Sequence, residues 1–182
     1  TRLTGVRRVG MSGSLYFHEQ PPGLPGTHDH FDLVTTRGVL RLNDPRRFGA
    51  WLHTTDDPQQ HTLLVDLGPE PLSKQFSAKY LQERLKNRKQ PIKTLIMDSH
   101  LVVGVGNIYA NEALFLAGIH PQRTGQSLTT DECQRLVQHI KQILRRAIQR
   151  GGTTLRDFVG GDGKPGYFAQ ELLVYGRAGE PC

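Results

Sequence analysis

Cysteine and long apolar runs are both scarce in this sequence, and each shortage narrows what the chain can be. Only Cys133 and Cys182 occur in 182 residues. No disulfide framework is therefore expected, and a reducing, cytoplasmic setting is. No stretch approaches the roughly 20 apolar residues of a membrane span, and no secretory apolar segment opens the chain, so no membrane association is expected. Acidic side chains are outnumbered: 17 Asp and Glu against 23 Lys and Arg leave a formal net charge of +6 and a pI of about 9.6. A surplus of that size suits a polyanionic partner, although it also fits many solvated proteins. What is present is ordinary for a folded chain. With 36% hydrophobic and 22% charged residues, the composition excludes a disordered polymer and supports one large domain or two small ones.

The chain opens at Thr1 and stops at Gly179-Glu180-Pro181-Cys182, where a turn has just begun, so it reads as a piece of a longer protein. From about Val9 to Leu67 the pattern is one of strands and turns. Phe31-Asp32-Leu33-Val34 and Val39-Leu40-Arg41-Leu42 flank a hairpin turn at Thr36-Arg37-Gly38, and Pro21 to Gly26 can only be a loop. After Leu67-Gly68-Pro69-Glu70-Pro71-Leu72 the pattern becomes helical. Ser73 is placed to cap a helix through Tyr80, Leu81 and Leu85 that ends in the basic run Arg84 to Lys89. Pro91 then suits a first helical turn ahead of Ile92, Leu95 and Ile96, and Asn107 opens a helix carrying Ile108, Ala110, Leu114 and Phe115. The strongest helix follows Thr129, which with Glu132 makes a capping box. Leu136, Val137, Ile140, Ile143, Leu144, Ala147 and Ile148 recur at helical spacing until Gly151-Gly152. Arg135, Lys141, Arg145, Arg146 and Arg150 fall off that stripe, as on a solvated face. The glycine-rich Gly160 to Gly166 is expected to be mobile.

The segment Gly104-Val105-Gly106-Asn107 is the most informative chemically. Two glycines let an outside group approach the backbone, and Asn107 then starts a helix whose free amides and dipole favour an anion. A tight interhelical turn with Asn107 as a cap is the plain alternative, and residue pattern alone leaves both open. Lys93 adds weight to the first. It sits in a first helical turn, where the dipole opposes a cation, and a phosphate bridging that turn and the Gly104–Asn107 turn would remove the conflict. Two turns offering amides, with a lysine, would make a backbone clamp.

In Asp44-Pro45-Arg46-Arg47-Phe48-Gly49, paired arginines beside a ring can hold a phosphate, read a base edge and wedge into a base stack. Met11 is a second candidate wedge. Both Phe48 and Met11 could instead be core residues. His28-Asp29-His30 has no further ligand pair at metal spacing, so a phosphate contact or structural hydrogen bond is expected there. Gly163-Lys164 is followed by Pro165, which excludes a phosphate loop. Cys133, near the apolar stripe of its helix, reads as a buried small residue.

Taken together, Met11 to Ser14, Asp44 to Gly49, Leu67 to Leu72, Gly104 to Ala110 and Asp162 to Phe168 resemble the formamidopyrimidine-DNA glycosylase family, over nearly the whole chain. These bacterial enzymes remove oxidised purines such as 8-oxoguanine and formamidopyrimidines from double-stranded DNA. The resemblance implies an α+β fold. A partial β-sandwich (residues 1–66) would precede a helix–two-turn–helix domain (67–155), then a lesion-recognition loop and the start of a zinc finger (156–182). Met11, Arg46 and Phe48 would fill the gap left by the everted base. His28, Arg46, Arg88, Lys93 and Asn107 would contact DNA, and Arg46 would also meet the orphaned cytosine. Thr153, Thr154 and Tyr167 would surround the extruded lesion. Cys182 would be the first of the ligands to one zinc ion.

The family's N-terminal proline, its neighbouring glutamate and a lysine ahead of the Met11 motif have no counterpart here, and Thr1 to Val9 matches the family poorly. The expectation is a monomeric DNA-binding part of a bifunctional glycosylase and abasic-site lyase, inactive by itself. Endonuclease VIII, the sister enzyme for oxidised pyrimidines, and a non-catalytic nucleic-acid-binding protein with the same helical clamp are the rivals.

Overall fold

The computed structural model describes residues 4–8, 13–54, 57, 60–152 and 171–181. The fold is α+β, and among the described residues five strands are followed by four α-helices: β1 (Thr4–Arg8), β2 (Ser14–His18), β3 (Asp29–Thr35), β4 (Gly38–Asn43), β5 (Ala50–Thr54), α1 (Ala78–Leu85), α2 (Ile92–Ile96), α3 (Asn107–Ala117) and α4 (Thr130–Gln149). Two compact units divide the chain. One takes residues 1–61 with 151–167, and the other takes 62–150 with 168–182.

The first unit holds two antiparallel sheets, β1–β5 and β2–β4–β3. β3 and β4 form the expected hairpin, with Thr35 opposite Gly38 across a two-residue turn. The segment ahead of Val9, unpromising in sequence, forms a strand, pairing from Thr4 opposite Thr54 to Arg8 opposite Ala50. On β4, Arg41 is buried because its charge is met from three sides. Its Nε and Nη2 donate to the Asp32 carboxylate, each at 2.8 Å, Nη2 also donates to the Gly23 carbonyl at 3.0 Å, and Asp29 lies 3.5 Å away. The bidentate pair ties β4 to β3, and the bond to the Gly23 carbonyl holds the proline-rich loop to the sheet.

The main core lies in the second unit. Phe76, Leu81, Leu85, Ile92, Ile96, Val102, Leu114, Leu136 and Ile140 are all buried, and α4 packs on both α1 and α3. Each such side chain contributes about 1.5–3 kcal/mol by leaving water. Local signals fix the helix ends. Thr129 and Glu132 form the expected capping box at α4, and Gly118, at φ 66°, ends α3 in the left-handed conformation that favours glycine. α1 starts later than expected: Ser77, not Ser73, is its cap, accepting from the Tyr80 amide at 3.2 Å. Ser73 is already engaged locally, its hydroxyl donating to the Glu70 carbonyl at 2.8 Å.

Candidate nucleic-acid interface

In the second unit, α2 and α3 pack together and are joined by two turns. The first turn closes as the Leu101 and Val102 amides donate to the Asp98 carbonyl at 2.9 and 3.1 Å. Leu67 to Leu72 braces it. Gly68 donates to the Ser99 carbonyl at 2.8 Å, and a Cβ on Gly68 would fall 2.5 Å from the Leu101 carbonyl, so only glycine fits. The second turn passes through Gly104 at φ 75°.

α3 then begins at Asn107 with Gly106 as N-cap, and no side chain caps it. A helix's first amides lack intrahelical acceptors. Among the described residues the N–H groups of Gly106, Asn107 and Ile108 have no protein acceptor, and Gly106 and Asn107 are exposed. A Cβ on Gly106 would meet nothing within 4 Å. Packing inside the protein therefore leaves room for a side chain there.

α2 departs from the expected second set of free amides. Its Ile92 N–H donates to the Arg123 carbonyl at 2.7 Å and its Lys93 N–H to the Pro121 carbonyl at 3.2 Å, while Pro91 is the N-cap and has no N–H to give. The segment 121–123 folds back over that helix end and takes the donors a ligand would have used. Among the described residues the exposed Thr94 amide, without a protein acceptor, and the lysine head remain. Lys93 is half-buried, and its ammonium has no hydrogen-bond or ion-pair partner among the described residues. The larger set of open amides is therefore at the start of α3, with a lysine on the adjoining helix.

Arg88 follows α1, exposed, its carbonyl accepting from the Gln126 amide at 3.0 Å. Its charge reaches Asp98 at the first turn. The Asp98 carboxyl is held below its ordinary range by hydrogen bonds from the His100 backbone and ring, and more weakly by the fields of His100 and Arg88. The basic residues of α4 are less free than a solvated face implies. Arg146 and Arg150 both bind Glu171, at 2.7 and 2.6 Å, and Lys141 donates to the Ser73 carbonyl at 2.8 Å.

In the first unit the Asp44–Gly49 loop presents two side chains together. Phe48 is 62% exposed, so it is not a core residue, and the Arg46 guanidinium carbon sits 4.9 Å from the ring centroid, in cation–π range. His28 is exposed beside this loop, its carbonyl accepting from the Asp44 amide at 2.9 Å. The metal-like look of His28-Asp29-His30 dissolves into structural bonds. Asp29 accepts from the Gly26 amide and the Asn43 side chain, both at 2.8 Å, and His30 Nε2 donates to the Asp44 carbonyl at 3.0 Å.

Met11, Thr153, Thr154, Tyr167, Cys182 and the Gly160–Gly166 loop lie outside the described residues. Among the described residues no group of three or more His, Cys, Asp or Glu side chains could hold a metal ion. No described helix is long and apolar enough to cross a membrane.

One buried carboxylate of this unit was not among the expected positions. Glu112, 2% exposed on α3, accepts three successive amides, those of Leu173, Val174 and Tyr175, at 2.7, 3.0 and 2.9 Å. Its signal was there: it is the one charged residue of an otherwise apolar and amide-bearing helix.

Fold and presented groups define a helix–two-turn–helix protein with an open helix amino end and a β-rich unit that displays an aromatic–arginine pair. The family model for the formamidopyrimidine-DNA glycosylase H2TH domain matches residues 67–159, and that for the formamidopyrimidine-DNA glycosylase N-terminal domain matches residues 2–51. The chain belongs to the formamidopyrimidine-DNA glycosylase family. The second match begins at residue 2, so the opening segment fits the family better than its sequence suggested. Formamidopyrimidine-DNA glycosylase of Teredinibacter turnerae is 61% identical over 98% of this chain and 66% of its own length, and that of Salmonella typhimurium is 58% identical over 97% and 65%. The chain thus spans a little under two thirds of these relatives. The crystal structure of the MutM (Fpg) protein from Thermus thermophilus matches with a TM-score of 0.88 at 39% identity, covering 99% of this chain and 66% of that one. A Lactococcus lactis Fpg mutant in complex with Fapy-dG-containing DNA matches at 0.86 and 33%, covering 98% and 65%.

Proposed function

We propose that this chain grips the backbone of double-stranded DNA for a base-excision repair enzyme, a bifunctional glycosylase and abasic-site lyase acting on oxidised purines. The observation that carries the reading is the open amino end of α3. A phosphodiester oxygen accepts hydrogen bonds from the Gly106, Asn107 and Ile108 amides, where the dipole of an 11-residue helix favours negative charge. Lys93 on the adjoining helix neutralises the same phosphate, and Arg88 and His28 add contacts. Phosphate contacts hold register but carry no sequence information. Discrimination belongs to the other unit, where Phe48 and Arg46, with Met11, occupy the space of an everted base and Arg46 meets the edge of the base left opposite.

Thr153, Thr154 and Tyr167 are assigned to the extruded lesion. The side chains on this chain bind, orient and wedge. The covalent step belongs to the N-terminal proline amine that the family resemblance implies, which is not among these residues. Cys182 is assigned as one ligand of a zinc finger whose other ligands are also not among them, and no step here runs through that metal. The working form is a cytoplasmic monomer.

Binding to duplex DNA should weaken steeply as salt rises, with a log–log slope of about −0.9 per phosphate neutralised, and Lys93→Ala should make that slope shallower by about 1. Affinity that stays flat across the salt series would refute the reading. Arg46→Ala should lower the preference for the base opposite the lesion, and unchanged discrimination would remove that role from Arg46.

A further inference from the structure

We infer that Asp44 is the positioning residue that gives the enzyme its opposite-base discrimination, by locking the Arg46–Phe48 loop into its presenting form before DNA arrives. The inference rests on the reading of Arg46 and Phe48 as the pair that enters the helix. Asp44 is 2% exposed, an unusual burial for a carboxylate, and both of its oxygens are engaged inside the loop that it begins. One accepts the Arg46 amide at 3.3 Å and the other the Gly49 amide at 2.6 Å, so the carboxylate spans the loop from one end to the other. Its backbone is equally engaged. The Asp44 N–H donates to the His28 carbonyl at 2.9 Å, and its carbonyl accepts from the Arg47 amide at 3.1 Å and from His30 Nε2 at 3.0 Å. A carbonyl only accepts, so His30 carries its proton on Nε2.

The loop so held is not one the chain would choose freely. Arg47 has φ 55°, a left-handed conformation uncommon for a residue with a Cβ, which persists only where its surroundings impose it. Without a clamp, Arg47 would return to ordinary φ values, and Arg46 and Phe48, its two neighbours, would lose their shared placement. The carboxylate is chemically required. Asparagine has nearly the same shape but offers one oxygen and one NH₂, so one loop amide would face a donor. Charge alone argues the other way. An anion beside a DNA-facing arginine repels phosphate, so a bystander acid would, on neutralisation, tighten binding and leave discrimination alone.

The test uses the 182-residue chain and four duplexes carrying an abasic-site analogue opposite each base in turn. Affinity ratios between opposite bases are measured, together with the fluorescence of a base analogue flanking the gap. Arg46→Ala is expected to flatten the ratio by about fivefold or more, the range for losing a good base-edge contact. Phe48→Ala should abolish the fluorescence change. Asp44→Asn should reproduce at least half of the Arg46→Ala loss on a logarithmic scale, and adding Arg47→Gly, which makes the left-handed turn easy, should restore part of it. A ratio kept by Asp44→Asn but lost by Arg46→Ala overturns the inference and leaves the parent reading standing. If neither Arg46→Ala nor Phe48→Ala changes ratio or fluorescence, the parent reading itself fails. Loss of the β2–β4–β3 amide pattern in Asp44→Asn would make Asp44 a residue of the fold, not of the loop, and would also overturn the inference.

Discussion

Removing the Glu112 carboxylate should release the segment around Leu173 to Tyr175 from α3 while leaving the helices in place. The carboxylate is 2% exposed and takes three amide donors between 2.7 and 3.0 Å. Hydrogen bonds to a charged acceptor contribute about 1.5–3 kcal/mol each, so three together set a ceiling of ~5–9 kcal/mol. Two corrections lower it. Glu112→Ala also abolishes the desolvation cost of a buried charge, and the freed amides can reach water, since Leu173 is 40% exposed. A loss of about 3–5 kcal/mol in docking free energy remains. Local detachment caps the global effect, so hydrogen exchange at amides 173, 174 and 175 is the sensitive probe. Their protection should fall by roughly two to four powers of ten at 1.4 kcal/mol per tenfold. Helicity followed in the far ultraviolet against urea reports the remainder. Exchange at the three amides within about threefold of the parent chain, with stability changed by less than ~1 kcal/mol, would refute the reasoning.

Two further outcomes follow from the same geometry. Glu132 accepts from both Nη groups of Arg123 and from the Thr129 amide, and these bonds lower its pKa from 4.5 to about 2. The folded value lies below the unfolded one, so this stabilisation is complete above pH 4.5 and is lost as pH falls toward 2. It amounts to at most about 3 kcal/mol, nearer ~2 after solvent screening at Arg123. An acid titration of Glu132→Gln should show a weaker pH dependence over that window, and an unchanged one would contradict the assignment. Gly104→Ala and Gly106→Ala should separate conformation from contact. The first forces a Cβ into φ 75° and should cost about 1–2 kcal/mol of stability. The second, with open space around it, should cost no more than about 1 kcal/mol, the loss of an N-cap glycine, yet weaken DNA binding. Equal DNA affinity for Gly106→Ala and the parent chain would count against an outside group resting there.

The helical half was legible from sequence because its signals are local. The capping box at Thr129 and Glu132, the stripe from Leu136 to Ala147 and the stop at Gly151-Gly152 each need only neighbours within a turn or two, whereas Ile148, expected on that stripe, is 67% exposed. Strand placement needs partners far away. β1 pairs with β5 across some forty intervening residues, and nothing in Thr4–Arg8 alone announces it. The site divided along the same line. Asn107 and its glycines carry a local backbone signal, and Phe48 and Arg46 stand close together in the chain. The closure of the α2 amides by the carbonyls of Pro121 and Arg123 is a tertiary event, as is the reach of Glu112 to amides some sixty residues on. Charge pattern could point to Glu112 as unusual but could not supply its partners.

The proposed phosphate grip requires the first amides of α3 to be open and to accept a phosphodiester oxygen. Amide chemical shifts of Gly106, Asn107 and Ile108, followed while duplex DNA is titrated into the labelled chain, test it most directly. These signals are predicted to move downfield, saturating with the same affinity as the bulk binding signal and reversing with added salt. Signals that hold still while resonances elsewhere respond to DNA would contradict it.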